Sequence, residues 1–226
     1  MSDEILGLVA LGFLFIVIFL GFPIAFTLGA VAILTGWYAL GPMVLDLAVL
    51  QTFSVMKDTV LASIPFFLFM GFLLEQSGLM ERMFIGIQQL LAGLRGSLYL
   101  AVLITATIFA AATGIVGSSV TLLGVMAGPT MIKSGYDTKM SAGAITAGGT
   151  LGILIPPSVM LIVMGPVVGV PATDLFTAAV IPGLLLSTIF IVWCLFRCWM
   201  NPELGPALPE EMRPKSLAPV LRDLII

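Results

Sequence analysis

Apolar runs alternate with short polar breaks from one end of the chain to the other, and each run can be measured against a bilayer. The hydrocarbon core is about 30 Å thick and a helix rises about 1.5 Å per residue, so a straight span needs about 20 apolar residues. Ile5 to Leu20 is a slightly short first span closed by Gly21-Phe22-Pro23. Ile24 to Leu40 is a second, ending at Trp37 and Tyr38, which suit the interface. From Gly41-Pro42 to Thr59 the apolar residues are interrupted by Asp46, Gln51, Lys57 and Asp58, which predicts an interfacial amphipathic helix over 43–58. Val60 to Leu74 is the third run, with Pro65-Phe66-Phe67 inside it, and the polar segment Glu75 to Arg95 reads as an aqueous connection.

The block Ser97 to Ile132 is bent by Thr113-Gly114-Ile115-Val116-Gly117-Ser118-Ser119 into limbs of about 16 and about 13 residues, neither a comfortable span. Such a block is either a re-entrant hairpin or two ordinary short helices with a turn. Exposed backbone at membrane depth, tolerated only inside protein or beside a water-filled cavity, favours the first. Ser141 to Met164 is long enough to cross but is broken by Gly148-Gly149, Gly152 and Pro156-Pro157. The prolines remove two backbone donors and force Ile155 out of helical geometry. Leu175 to Phe196 makes a clean final span before a Pro-rich, charged tail from Asn201 to Pro219.

The expected fold class is an all-α membrane protein, a polytopic helical bundle with an interfacial helix, a re-entrant hairpin and a Gly/Pro-broken span. The organisation expected is scaffold-like helices over 1–96, a hairpin (97–132) and discontinuous helix (141–164) within 97–173, a final span over 174–200, and a cytoplasmic linker over 201–226. Arg82, Arg95, Lys133, Lys139, Arg197, Arg213, Lys215 and Arg222 then fall on one side against Lys57 on the other. The positive-inside rule makes that side cytoplasmic and the amino terminus periplasmic. An apolar run restarts at Leu224-Ile225-Ile226, so a continuation beyond it is expected.

Composition narrows the function. Sixty per cent of the residues are hydrophobic and nine per cent charged, and the mean hydropathy of +1.19 is spread over many segments, so a cleaved leader does not account for it. Histidine is absent, which removes the usual general base and the commonest metal ligand. No nucleophile–base pair or carboxylate pair lies within the spans, so an enzyme is not expected. Cys194 and Cys198, four apart on one helix face, read as packing residues, and a net charge of −3 offers no surface for nucleic acid.

The spans from Val60 to Leu74, Ser97 to Ile132 and Ser141 to Thr173 carry no charged side chain, which argues against a buried carboxylate proton relay. What the two breaks offer is neutral oxygen: Thr113, Ser118, Ser119 and Thr121 in one, Thr146, Thr150 and Ser158 in the other. Discontinuous helices present unpaired carbonyls and half-helix ends that hold hard cations and substrates in many transporters. The plainer alternative is that the glycines permit close packing and the hydroxyls bond back to their own helices.

At these residues the chain resembles a known family. Gly135-Tyr136-Asp137, followed by Ala147-Gly148-Gly149-Thr150-Leu151-Gly152-Ile153-Leu154-Ile155-Pro156-Pro157-Ser158, is similar to the signature of the large membrane subunit of tripartite ATP-independent periplasmic (TRAP) transporters, the DctM-like permeases. The resemblance extends through Ile64-Pro65-Phe66-Phe67 and Ala110 to Pro129 and matches the family's amino-terminal half. It implies one repeat of an inverted-repeat, elevator-type transporter. It also implies Na⁺-coupled uptake of organic acids such as carboxylates or sugar acids, delivered by a periplasmic binding protein, with a small four-helix membrane subunit as partner in the bacterial inner membrane. Carried over residue by residue, it makes Ser118, Ser119, Gly149, Thr150 and Ile153 candidate Na⁺ ligands, with Gly148, Gly152, Pro156, Pro157 and Ser158 supporting the break. Val116-Gly117-Ser118-Ser119 departs from the family's Ser-Gly-Ser pattern. Other readings are an elevator-type carrier that needs no binding protein, and a structural or assembly subunit of a membrane complex.

Overall fold

The computed structural model describes residues 3–207. The linker beyond 207, with Arg213, Lys215, Arg222 and the run at Leu224, lies outside the described residues. Within them the regular structure is helical with no strand. It comprises α1 (Asp3–Phe19), α2 (Ile24–Leu40), α3 (Met43–Met56), α4 (Ile64–Gln76), α5 (Leu79–Leu90), α6 (Ser97–Thr113), α7 (Val116–Lys133), α8 (Thr138–Leu154), α9 (Val159–Val168) and α10 (Ala172–Met200). The chain forms two compact units, Met1–Thr59 and Val60–Ile226.

In the first unit, Gly21 and Gly41 turn the chain between helices at φ +90° and +65°, in the left-handed region that favours glycine. A Cβ on Gly36 would collide with the Val44 side chain, so α2 and α3 meet at that glycine. Only Thr27 and Val31 of α2 are buried, while Phe15, Phe19 and Phe26 point outward. Helices apolar on all faces belong in lipid or deep in a protein. The helix expected over 43–58 is observed as α3 (Met43–Met56), which buries nothing; Asp46, Ser54 and Gln51 share one arc of about 140° while Thr52 lies outside it, so its polar face is broad and weak.

The strongly amphipathic helix is α5, in the segment read as an aqueous connection. Met80, Phe84 and Ile87 repeat at helical spacing and bury in the core of the second unit, while Glu81 and Arg82 face outward. Its frequent polar residues masked that face. Packing therefore groups α4 and α5 with the helices that follow them, and the compact unit begins at Val60.

The centre of this unit is α8, which packs most extensively on α6 and α7. Sites for a Cβ on Gly148 and Gly149 meet Ala106 of α6 and Val120 of α7, and Gly124 of α7 faces Ile145. The pairings Gly124 with Ile145, Val120 with Gly149 and Ile115 with Gly152 make α7 antiparallel to α8, whereas Tyr99 with Asp137 and Ala106 with Gly148 make α6 parallel to it. Thus α6 and α7 are an antiparallel helical hairpin, with α8 against both limbs. The hairpin's connection is shorter than the sequence suggested: only Gly114 and Ile115 lie between the helices, and Val116 to Ser119 form the first turn of α7. The limbs have 17 and 18 residues, not about 16 and about 13, because the αL glycine reverses the chain in two residues.

The broken span runs from Thr138, with the break at 155–158, and its two halves meet at 44°. The Asp137 carboxylate caps α8 by accepting the Met140 N–H at 2.8 Å. At 29 residues, α10 is the one described helix long and apolar enough by itself to cross a bilayer. It runs antiparallel to α6 and α8, with Gly183 against Ile155, Ser187 hydrogen-bonded to Thr107 at 2.5 Å, and Cys198 against Gly96. Cys194 and Cys198 are buried free thiols in this packing. Between apolar helices in lipid there is no water to expel, so close approach at small residues outweighs hydrophobic transfer, and an interhelical hydroxyl bond contributes only about 0.6 kcal/mol.

One end of the bundle is tied by polar bonds. The Tyr136 hydroxyl accepts the Leu98 N–H and pairs with the Ser97 hydroxyl, each at 3.3 Å. Burial raises its pKa, so it stays a neutral phenol. The start of the expected linker folds back here: the Leu204 carbonyl accepts from the Tyr99 hydroxyl (2.7 Å) and the Asp137 N–H (3.1 Å), and the Gly205 carbonyl accepts from the Gly96 N–H (2.9 Å).

Candidate functional site

The two backbone breaks lie against each other. Gly114, at φ +61°, is the point of contact: a Cβ there would collide with the Pro157 carbonyl oxygen and come within 3.1 Å of the Ser158 Cα. A Cβ on Gly152 would lie 3.6 Å from the backbone of Ile115. Two further glycines close the crossing from outside. Gly71 of α4 receives the Ile115 side chain, with Cδ1 2.8 Å from its Cβ position, and Gly183 of α10 receives Ile155, with Cγ1 at 2.9 Å.

Four helix termini therefore converge, the C-terminal ends of α6 and α8 and the N-terminal ends of α7 and α9. Each terminus leaves up to four backbone groups without an intrahelical partner, and each carries roughly half an elementary charge, negative at C-termini and positive at N-termini. Unpaired, such groups cost several kcal/mol apiece in lipid. The sequence reduces that cost locally. Pro156 and Pro157, joined by a cis peptide bond, bring no N–H at all. The fully buried Ser158 hydroxyl donates to the Ile153 carbonyl at 2.7 Å, and the buried Ser119 hydroxyl donates to the Ile115 carbonyl at 2.6 Å.

The candidate residues divide accordingly. Ser119 and Gly149 are buried at the α7–α8 contact, with the Gly149 Cβ position overlapping the Val120 side chain. Ser118 is half-buried in the first turn of α7. Thr150 is exposed and donates to the Ala147 carbonyl at 2.7 Å. Ile153 is 41% exposed and contributes the carbonyl that Ser158 occupies. A hydroxyl that donates its proton to a helix carbonyl keeps its lone pairs as acceptors. Ser119, Thr150 and Ser158 thus satisfy the backbone and still offer neutral oxygen to a cation. No titratable side chain occurs among these residues.

Gly114 and Ile115 were read in the sequence only as part of the bend, and Gly71 and Gly183 were not singled out. Gly114 carried a signal, being the first glycine of the bend, but Gly71 and Gly183 look like ordinary helix glycines until their distant partners are known. Replacing Ser158 by Ala is expected to lower stability by about 1 kcal/mol, the loss of one net hydrogen bond, with a fall in thermal midpoint of the purified protein as the readout. An unchanged midpoint would mean that the Ile153 carbonyl finds another partner.

The family model described as "Tripartite ATP-independent periplasmic transporter, DctM component" matches residues 11–218. The chain is 30% identical over 217 residues to the C4-dicarboxylate TRAP transporter large permease protein DctM of Rhodobacter capsulatus, covering 89% of this chain and 49% of that protein. It is 35% identical over 143 residues to the protein of the same description from Pseudomonas aeruginosa (63% and 34% covered), and 31% identical over 209 residues to the isethionate TRAP transporter permease protein DctMQ of Oleidesulfovibrio alaskensis (92% and 32% covered). The chain spans about half or less of the length of these relatives. With most of its length matched by the family model and its apolar helices meeting at two backbone breaks, the chain is an integral membrane protein belonging to the DctM component family of tripartite ATP-independent periplasmic transporters.

Proposed function

We propose that this chain forms one hairpin-and-broken-helix repeat of a TRAP large permease that takes up a small organic acid together with Na⁺. The observation that carries the reading is the crossing at Gly114 and Pro157, where two helix C-termini and the neutral oxygens of Ser119 and Ser158 gather without a charged side chain. Carbonyl and hydroxyl oxygens suit a hard monovalent cation, and the N-termini of α7 and α9 suit an anionic substrate group. Ser118, Ser119, Gly149, Thr150 and Ile153 are the proposed Na⁺ ligands, in part through backbone carbonyls. Relatives are named for C4-dicarboxylate, isethionate, ectoine and sialic acid, each a small solute bearing an acid group. In this reading a periplasmic binding protein delivers the solute and a small membrane subunit completes the permease in the inner membrane, with the amino terminus periplasmic. The hairpin is re-entrant and moves with the broken helix as an elevator. Limb length alone, about 26 Å, is close to a full span; the meeting of the hairpin tip with the middle of the α8–α9 span is what supports re-entry.

The test is uptake by the complete system in proteoliposomes. Replacing external Na⁺ by choline is expected to lower uptake at least tenfold, and uptake that ignores the exchange removes the coupling. Uptake that persists without the binding protein would favour the carrier that needs none. Thr150→Val keeps the shape and deletes one oxygen; losing one ligand worth about 1.4 kcal/mol raises the half-saturating Na⁺ concentration about tenfold. An unshifted Na⁺ dependence excludes the Thr150 hydroxyl as a ligand.

A further inference from the structure

A second feature of the bundle lies away from the crossing. Between α6, α8 and α10 is a slot of about 260 Å³ whose walls include Leu103, Met140, Gly143, Ala147, Phe190 and Trp193. Its lining is apolar, and Gly143 has no atom within 4 Å of where a Cβ would stand. The missing side chain is therefore not required by helix packing; its absence leaves the slot open. Gly148 and Gly149, about one and a half turns further along α8, are by contrast filled by α6 and α7.

Both helices that flank the slot carry a cation one turn outside it. Lys139 precedes Gly143 by one turn of α8, and Arg197 follows Trp193 by one turn of α10, its guanidinium 5.9 Å from the Trp193 ring. Since α8 and α10 are antiparallel, the two cations fall at the same end of the bundle, beside Tyr136 and the folded-back residues 201–205. Among the described residues neither makes an ion pair. The nearest carboxylate in sequence to Lys139, Asp137, is engaged in capping α8, and the nearest to Arg197 is Glu203 of the folded-back segment. From Trp193 the exposed rings of Phe196 and Trp199 continue along α10 with centroids 6.4 Å apart, the residue types that anchor a helix at the headgroup level.

We propose that this slot binds an acyl chain of an anionic phospholipid, with Lys139 and Arg197 holding its phosphate. An apolar helix covering the same face would fill the slot but bring no anion to the two cations, whereas an anionic lipid satisfies both features at once. Basic pockets between membrane helices take anionic headgroups for this reason, each cation contributing about 1 kcal/mol near the surface. The proposal requires only that the chain lies in a bilayer, so it stands or falls separately from Na⁺ coupling.

Native mass spectrometry of the complete permease, purified in mild detergent and titrated with phosphatidylglycerol or phosphatidylethanolamine, tests it. The wild type is expected to retain phosphatidylglycerol in preference to phosphatidylethanolamine. The double variant K139Q/R197Q is expected to bind phosphatidylglycerol about 30-fold more weakly. Gly143→Leu, which fills the slot and keeps both cations, is expected to lose the bound lipid while its helix content is unchanged. Equal lipid retention by all three proteins, the same affinity for both headgroups, or a wild type that binds none because protein covers the slot would each overturn the proposal.

Discussion

Gly114→Val is expected to abolish uptake and lower stability by about 2–5 kcal/mol. Two costs add at this position. A residue with a Cβ held at φ +61° costs about 1–2 kcal/mol, more for a β-branched side chain. The new Cβ also meets the Pro157 carbonyl, and forced overlap in a packed interior costs about 1–3 kcal/mol. Relief requires separating the hairpin tip from the α8–α9 break, which moves all four helix ends away from any ligand they share. If about 3 kcal/mol of that distortion falls on the ion-bound state, its population drops about 100-fold. The measurement is Na⁺-driven uptake in proteoliposomes beside the thermal midpoint of the same preparation. Uptake above half the wild-type rate with an unchanged midpoint would falsify the close contact of the two breaks.

Gly149→Leu is expected to have the next largest effect, because the obstruction is backbone as well as side chain. The site of its Cβ overlaps the Val120 side chain and lies 3.0 Å from the Val120 Cα, so α7 and α8 must part. In lipid the contact between these helices depends on close approach, and separating them forfeits dispersion contacts along the hairpin limb with no hydrophobic gain to offset the loss. A loss of about 1–3 kcal/mol follows, together with weaker Na⁺ dependence, since Ser119 lies on the same turn of α7. Combining it with Val120→Ala should recover part of the midpoint but not all, because the backbone contact remains. A double variant that behaves as the sum of the singles would show that the two positions do not touch.

Much of the helical content could be read along the chain. Ile24–Leu40 was expected with those ends and is observed with them, because an apolar stretch bounded by Pro23 and Gly41 has only one way to satisfy its backbone in lipid. The breaks at Gly114 and at Pro156-Pro157 were legible for the same reason: glycine and proline act on their own peptide units, wherever the rest of the chain lies. Segment Glu75 to Arg95 was misread, because a short amphipathic helix has the polar content of a loop and is distinguished only by the spacing of Met80, Phe84 and Ile87.

The candidate site was legible as a set of residue types and not as an arrangement. Ser119, Thr150 and Ser158 could be marked as neutral oxygens at irregular backbone, with bonding back to their own helices as the plainer alternative, but which carbonyl each hydroxyl takes appears only in three dimensions. Gly71 and Gly183 have no local signature, since their role is to admit Ile115 and Ile155 from other helices.

The sequence by itself determined that the chain is a helical membrane protein, where its helices must stop, and which family it resembles. Those properties follow from length, hydropathy and the covalent restrictions of Gly and Pro, all of them local. Only the tertiary structure decided that the hairpin tip meets the broken span, that α5 buries a face, that residues 201–205 fold back onto α6 and α8, and that a slot stays open beside Gly143. These depend on which distant surfaces come within van der Waals reach, and in lipid, where apolar residues gain little by simply being buried, that close fit between particular residues chooses one packing over the others.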